Sequence, residues 1–316
     1  MTASAQDQAR IVSISLSAEK GTAKEPVPEA RLDEYGIVGD AHAGPWHRQV
    51  SLLALEAIER FAAQSGETFA PGDFAENLCT HGLDLPAASL LDRLRIGEVV
   101  LEVTQRGKTC HGDSCAVYQR VGRCVMPKEG VFCRVLHGGV IRPGDTIVHE
   151  PKTLGMAVIT VSDRASQGRY EDRSGPRIAE MLEAHFANTL WRIRIDPFIL
   201  PDDAARIEAQ LVHARDTGAD VVFTTGGTGI GPRDITPDVV TALADKLIPG
   251  IMEHIRITYG ADKANALLSR SVAAVLGQTL VYTLPGSLKA VNEYLDEILK
   301  TLEHSLHMIH GLDTHQ

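Results

Sequence analysis

From Gly155 onward the chain alternates short apolar runs with amphipathic stretches, and that rhythm leaves few folds open. GMAVITVS, WRIRIDPFIL, ADVVFTT and QTLVYTL read as strands. SGPRIAEMLEAHF, DDAARIEAQLVHARDTG, TPDVVTALADKL and SLKAVNEYLDEILKTLEHSLHMI read as helices. Ser174 and Thr236 are the expected N-caps, Pro237 the first helical residue of its segment and Gly218 a stop. Strands alternating with helices predict a layered α/β fold around a largely parallel sheet. The first 150 residues read differently. ARIVSISLS, RQVSLLAL, EVVLEVTQ, GVFCRVL and DTIVHE are short β-like runs between Gly, Pro and Asp, with one clear helix, LALEAIERFAAQ. That pattern predicts a β-barrel-like domain. HEPKTLG, around Pro151, is the expected linker, which places the domains at 1–150 and 151–316.

A chain of 316 residues fits two domains, at about 100–200 residues for each. Its formal net charge of −10 argues against general nucleic-acid binding, which needs a basic face. A small phosphorylated ligand stays open, because a few local Arg or Lys residues suffice for it. MTASAQDQARIVSISLSAEKG lacks the basic-then-apolar order of a secretory signal, and no run approaches a membrane span. The expected location is cytoplasmic, away from any membrane.

The segment TTGGTGIGPRD follows the buried run ADVVF. Glycines there let backbone N–H groups approach an anion, and the next helix opens with its N-terminus nearby. No Gly-Lys-Ser/Thr follows, so it is not a Walker A loop. Its glycines, 226, 227, 229 and 231, do not fit the dinucleotide fingerprint either. The bland reading is a tight strand-to-helix turn. Three more polar segments follow strands: SDRASQGRYED, then Pro201 and Asp202, then LPGS after Leu284. Four loops at one sheet edge make a continuous site.

SDRASQGRYED, TTGGTGIGPRDITPD, IPGIMEHIR, LLSRSVA and LPGSLKAV, in this order over about residues 154–310, resemble the MogA/MoaB group of molybdopterin adenylyltransferases. The resemblance implies a three-layer α/β/α fold, a homotrimer formed through this domain, and transfer of AMP from ATP to the terminal phosphate of molybdopterin with Mg²⁺. By motif position it implies Asp202 and Asp234 as catalytic, Mg²⁺-holding carboxylates. It further implies Asp163, Arg164, Thr225, Gly226, Gly227, Thr228, Gly229, Ser269, Arg270, Pro285, Gly286 and Ser287 as ligand-binding positions. Five of these have an ordinary alternative: a helix cap for Asp202, a turn or an Arg233 pair for Asp234, a carboxylate pair for Arg164, a solvated loop for Ser269 and Arg270.

The cysteines are Cys79, Cys110, Cys115, Cys124 and Cys133, and four of them fall in one window. YGIVGDAHAGPWHRQVSLL, PGDFAENL, LRIGEVVLEVTQRGKTCHGDSC and HGGVIRPGDTI resemble, in order, a MOSC domain over about residues 10–148. That implies a cofactor- or sulfur-carrying role on the cysteine after VTQ, which is Cys110 by position. Cys115 competes with it, and Lys108 and His111 are placed to lower a thiol pKa. Idle thiols are the bland reading; a zinc site is a weaker one, since the spacing lacks close pairs. Cys133 alternates as a strand residue and is expected in the core. Asp40, His42 and AGPWHRQ line a pocket for an anionic pterin, or form a plain turn; Asn77 of GDFAENL is expected to bond backbone.

Both resemblances point to molybdenum-cofactor biosynthesis. A non-catalytic carrier or storage protein for molybdopterin or the mature cofactor is the alternative, and a scaffold that docks a molybdoenzyme or sulfurtransferase a further one; other cofactor-biosynthesis proteins or a sulfurtransferase are the expected protein partners.

Overall fold

The computed structural model describes residues 8–20, 22–109, 118 and 124–312. The chain divides into two compact units, the first running to Lys152 and the second spanning Thr153–Gly311. Cys110, His111 and Cys115 lie outside the described residues.

The first unit contains β1 Arg10–Leu16, β2 Glu25–Val27, β3 Ala30–Asp33, β4 Gly36–Ile37, β5 Val50–Ala54, α1 Leu55–Ser65, β6 Leu78–His81, β7 Arg93–Ile96, β8 Val99–Arg106, α2 Met126–Glu129, β9 Val131–His137, β10 Gly139–Ile141 and β11 Val148–Glu150. Eight strands form one sheet in the order β11-β7-β8-β9-β5-β6-β1-β2, and β10-β3-β4 form a second. The large sheet ends on β11 and β2, which do not pair with each other. The segment leading into β11 nevertheless runs beside β1, where the Ile11 N–H bonds the Asp145 carbonyl at 2.9 Å and the Ile147 N–H the Ala9 carbonyl at 2.8 Å, so the sheet curls into a half-barrel, where the sequence predicts a barrel-like domain. Helix α1 buries Ala57, Ile58 and Phe61 and stops at left-handed Gly66, φ 73°, whose N–H bonds the Ala62 carbonyl. Phe61 meets Phe69 and Phe74 at centroid distances of 5.4 and 5.3 Å, closing the core below the helix.

The second unit runs β12 Thr153–Val161, α3 Asp163–Ser166, α4 Ser174–Phe186, β13 Arg192–Leu200, α5 Ala204–Asp216, β14 Val221–Thr225, α6 Thr236–Leu243, β15 Lys246–Leu247, α7 Pro249–Gly260, β16 Ala273–Leu276, β17 Thr279–Leu284 and α8 Leu288–Ile309. Its sheet order is β13-β12-β14-β17-β16-β15. The first four strands are parallel; β16 and β15 run antiparallel at the edge. Nearly all of β12 is buried, as expected of a strand covered on both faces. Ala157, Ile159 and Val161 pack with Ile207 and Leu211 of α5 and Val240 of α6. Helix α4 packs on β12 and α8 on β17, and α8 buries Val291, Leu295, Ile298 and Leu302.

Two caps differ from expectation. Asp172, not Ser174, caps α4: its Oδ1 accepts from the N–H groups of Ser174 (3.0 Å) and Gly175 (3.1 Å). Thr236 makes no capping bond; its hydroxyl is buried without a partner. The segment TPDVVTALADKL is helical only to Leu243, because Lys246 and Leu247 pair with Val275 and Ala274 and extend the sheet instead. Between β11 and β12 the linker is only Pro151 and Lys152. Among the described residues no helix is long and apolar enough to cross a membrane.

Candidate functional site

Strand β12 has β13 on one side and β14 on the other. The chain therefore leaves β12 and β14 in opposite directions, and their carboxyl ends open the crevice where α/β sheets bind ligands. The loops at this edge are those after Val161, Leu200, Thr225 and Leu284.

The glycine loop is fitted into this crevice. Gly226 has φ +105°, and a Cβ on it would lie 2.3 Å from the Val161 carbonyl oxygen. Gly227 has φ +64°, and a Cβ there would meet Thr236 Oγ1 at 2.6 Å. Only glycine satisfies both the left-handed backbone and the close approach. The Gly226 N–H bonds the Leu284 carbonyl at 2.9 Å, and Thr225 Oγ1 donates to the Pro285 carbonyl at 3.0 Å. Gly286 lies beside Gly226. Ser287 caps α8 by accepting from the Ala290 N–H at 3.2 Å. Thr228 is buried, and Ile230 at the loop tip is exposed.

Two carboxylates fix the loops to one another, and a third folds the glycine loop on itself. The Asp163 N–H donates to Asp202 Oδ2 at 2.9 Å, and the Asp202 N–H donates to Asp163 Oδ1 at 3.1 Å. Arg233 crosses from the glycine loop to Asp163 Oδ2 at 2.5 Å and to the Asp202 carbonyl at 3.2 Å. It pairs with Asp163, not with its neighbour Asp234. Asp234 Oδ2 accepts from the Gly231 N–H at 2.8 Å and turns the loop back. Asp202 Oδ1 and Asp234 Oδ1 accept nothing from the described residues. No three His, Cys, Asp or Glu side chains gather as a metal site among the described residues. A cation here would be held by these two carboxylates and by ligand oxygens, the donor set that Mg²⁺ takes.

The remaining expected positions sit around this frame. Arg164 lies 5.3 Å over the Tyr170 ring, a cation–π contact instead of a carboxylate pair. The Ser269 hydroxyl takes the Tyr294 phenol proton at 2.9 Å. The Arg270 guanidinium meets the Gly229 and Asp234 carbonyls and the Asp238 carboxylate. Both residues lie in a partly exposed loop, but their side chains are bonded to the protein. Asp238 is absent from the sequence reading; an Asp in the first turn of a helix is too common to mark a site.

The first unit holds a buried polar cluster. Asp40 Oδ2 accepts from Lys24 Nζ, from Asn77 Nδ2 at 3.0 Å and from the Ser17 N–H at 3.2 Å. Its Oδ1 accepts from the His42 N–H at 2.9 Å. Burial alone would raise this carboxyl; the hydrogen bonds from His42 and Lys24 outweigh it and hold Asp40 well below the carboxylate range. Burial lowers Lys24. His42 Nδ1 lies 3.3 Å from Lys24 Nζ, and its ring stacks near Trp46. Lys20 and Arg48 lie over the Trp46 ring at 5.4 and 4.8 Å. Asn77 also bonds backbone, taking the Ser51 N–H at 3.1 Å and donating to the Ser15 carbonyl at 3.2 Å. Glu76 is fully buried; its Oε1 accepts from the Gly72 N–H at 2.6 Å, Oε2 has no partner, and burial pushes its pKa up to about 7. Sequence reading misses Lys24 and Glu76, whose burial depends on contacts distant in sequence. His47 is buried. Cys133 is in the core as expected, and Cys79 joins it.

Residues 157–304 match the family described as "Probable molybdopterin binding domain", and residues 39–148 match the MOSC domain. The second unit is similar to the molybdopterin adenylyltransferase of Helicobacter pylori, 35% identical over 161 residues, 51% of this chain and 90% of the relative. The Escherichia coli K12 molybdopterin adenylyltransferase is also 35% identical over 161 residues, 51% of this chain and 80% of that protein. Among solved structures, the molybdopterin biosynthesis Mog protein of Mycobacterium ulcerans is 35% identical, with 49% of this chain and 99% of that one covered and a TM-score of 0.46.

Proposed function

This chain belongs to the molybdopterin adenylyltransferase family through its second unit and carries a MOSC domain in its first, and on that premise we propose that the second unit transfers AMP from ATP to the terminal phosphate of molybdopterin. A molybdopterin phosphate oxygen attacks the α-phosphorus of ATP, the new P–O–P bond forms, and pyrophosphate leaves with the electrons of the broken bond. Such a reaction needs positioning and neutralised charge more than covalent help from the protein. The observation that carries the reading is the pair Asp202 and Asp234, each anchored through one oxygen and keeping the other at the mouth of a glycine loop.

Gly227, Thr228 and Gly229 supply backbone N–H groups to a phosphate, with Thr225 and Gly226 fixing the loop and Pro285, Gly286 and Ser287 closing the wall beside it. Mg²⁺ fits Asp202 and Asp234, two carboxylates without competing ligands; when bound it would neutralise phosphate charge. Asp163 fixes Asp202, and Arg164 with Ser269 borders the pocket. A homotrimer through this unit is part of the proposal.

The MOSC unit, on this reading, receives or carries the cofactor on Cys110, with Cys115 as the competing thiol and a sulfurtransferase as its partner. The Lys24–Asp40–His42 cluster beside Trp46 supports an anionic ligand there. Cys110→Ser should lower the pterin bound per chain below that of the parent, with Cys115→Ser at the parental ratio; equal ratios in all three chains would reject Cys110.

Mass spectrometry after incubating the full chain with molybdopterin and ATP tests the main reading: adenylylated pterin and pyrophosphate should form together. Pterin retained without AMP transfer would make the second unit a carrier instead.

A further inference from the structure

Arg270 occupies a position where an arginine in a phosphate pocket is read as an anion contact. Its donors are committed elsewhere. Nε donates to the Gly229 carbonyl at 2.8 Å, Nη1 to Asp238 Oδ1 at 2.7 Å, and Nη2 to Asp238 Oδ2 at 2.9 Å and to the Asp234 carbonyl. A guanidinium has five N–H groups in a rigid fork, so these four bonds leave one. The Arg270 backbone N–H adds a bond to the Thr228 carbonyl at 2.8 Å. The fork-to-fork pair with Asp238 lowers that carboxyl and raises the guanidinium, so both stay charged.

We infer that Arg270 is a positioning residue for adenylyl transfer: with Asp238 it staples the glycine loop to the first turn of α6 and so sets where Asp234 points. This rests on the proposed reaction and deepens it. The staple grips the loop on both sides of Ile230 and Gly231; from Ile230 to Asp234 the other bonds among the described residues are the turn between Gly231 and Asp234 and the reach of Arg233 to the neighbouring loop. Asp238 is the anchor, one turn beyond Asp234 on a helix whose own core contacts hold it still. The Asp234 side chain hangs from the carbonyl-bearing residue that Nη2 clasps. A point charge does not replace this geometry, because lysine cannot fork.

Steady-state kinetics of the full chain with molybdopterin and ATP, run beside hydrogen exchange of the peptide covering 226–234, test the inference. Arg270→Ala should lower kcat on the order of 10²-fold, the loss that misplacing a catalytic group gives, with both KM values within about threefold. Asp238→Ala should lower kcat in the same direction although it lies outside the ligand-binding positions. The double variant should be no worse than Arg270→Ala, and Arg270→Lys should not rescue. Both single variants should speed exchange of the loop amides. The inference is overturned if Arg270→Ala raises a KM more than tenfold at near-normal kcat, which marks a ligand contact, or if Asp238→Ala is silent. Should the parent chain transfer no AMP, the proposed reaction fails; the exchange result then decides the staple alone, and unchanged exchange in both variants rejects it.

Discussion

Asp163 and Asp202 each hold the other's backbone: the two N–H to carboxylate bonds cross at 2.9 and 3.1 Å between the tips of adjacent parallel strands. One carboxylate oxygen on each residue is thereby spent on structure. For Asp202, the oxygen left over faces Gly227, so its direction is set before any ligand arrives.

Asp234→Asn removes the charge of the other free oxygen while leaving an acceptor for the Gly231 N–H. AMP transfer should fall at least about 10²-fold, the usual cost of losing one preorganised electrostatic group, with the thermal midpoint unchanged. Normal turnover with molybdopterin and ATP would end the assignment of this residue.

Gly227→Ala should destabilise the second unit by about 1–3 kcal/mol, since alanine must adopt a left-handed backbone and its methyl meets the Thr236 hydroxyl. Adding Thr236→Ala relieves the collision but not the backbone strain, so the double variant should recover part of the loss. Urea midpoints of the three chains measure it; a neutral Gly227→Ala would contradict the fit described for the loop.

Glu76 makes the first unit more stable in mild acid. Its carboxyl titrates near 7 when folded and near the ordinary 4.5 when unfolded. Between those values the folded state binds more protons, so stability falls as pH rises from about 4.5 to 7, by about 3 kcal/mol at the outside. Asp40 acts in the opposite sense, losing stability only below the ordinary carboxylate range. Glu76→Gln stays neutral throughout and should flatten the curve from pH 5 to 8 in denaturant titrations. An unchanged slope would show that another group sets it.

Asp40→Ala leaves Lys24 Nζ buried without its carboxylate and strips acceptors from Asn77 and Ser17. The expected cost is about 3–5 kcal/mol, the penalty for an uncompensated buried charge. Denaturant unfolding of the full chain, followed for the first unit, would refute this with a loss below 1 kcal/mol.

Cys79 and Cys133 should resist maleimide in the native chain at neutral pH. Both are buried; burial pushes the Cys79 thiol up to about 12 and raises that of Cys133 as well. Peptide mapping that found either labelled as fast as in denaturant would place it outside the core.

Much of the second unit is legible in its residues. SGPRIAEMLEAHF repeats its apolar positions at helical spacing and forms α4 over those same residues. The glycine loop is legible because its residues must follow a buried strand. What escapes is decided by distant partners. Lys246 and Leu247 read as a helix end until an antiparallel neighbour claims them. IPGIMEHIR carries the helix α7, yet Met252 and Ile255 are its only buried residues, too few for a clear period. Lys24 looks like a loop residue, and only the folding of Asp40 and Asn77 over it makes it a buried charge. The curl of the large sheet in the first unit is likewise invisible locally, since it depends on the bonds that residues 144–147 make with β1, distant in sequence.

Gly226 pressed against Val161, the crossed bonds of Asp163 and Asp202, and the reach of Arg233 make the strand tips solidify as one body. The disorder of those loops is surrendered when the sheet forms, so a ligand has none left to remove. Calorimetry of pterin binding should then show a heat-capacity change sized to the ligand's own buried apolar surface, with no added signature of coupled folding.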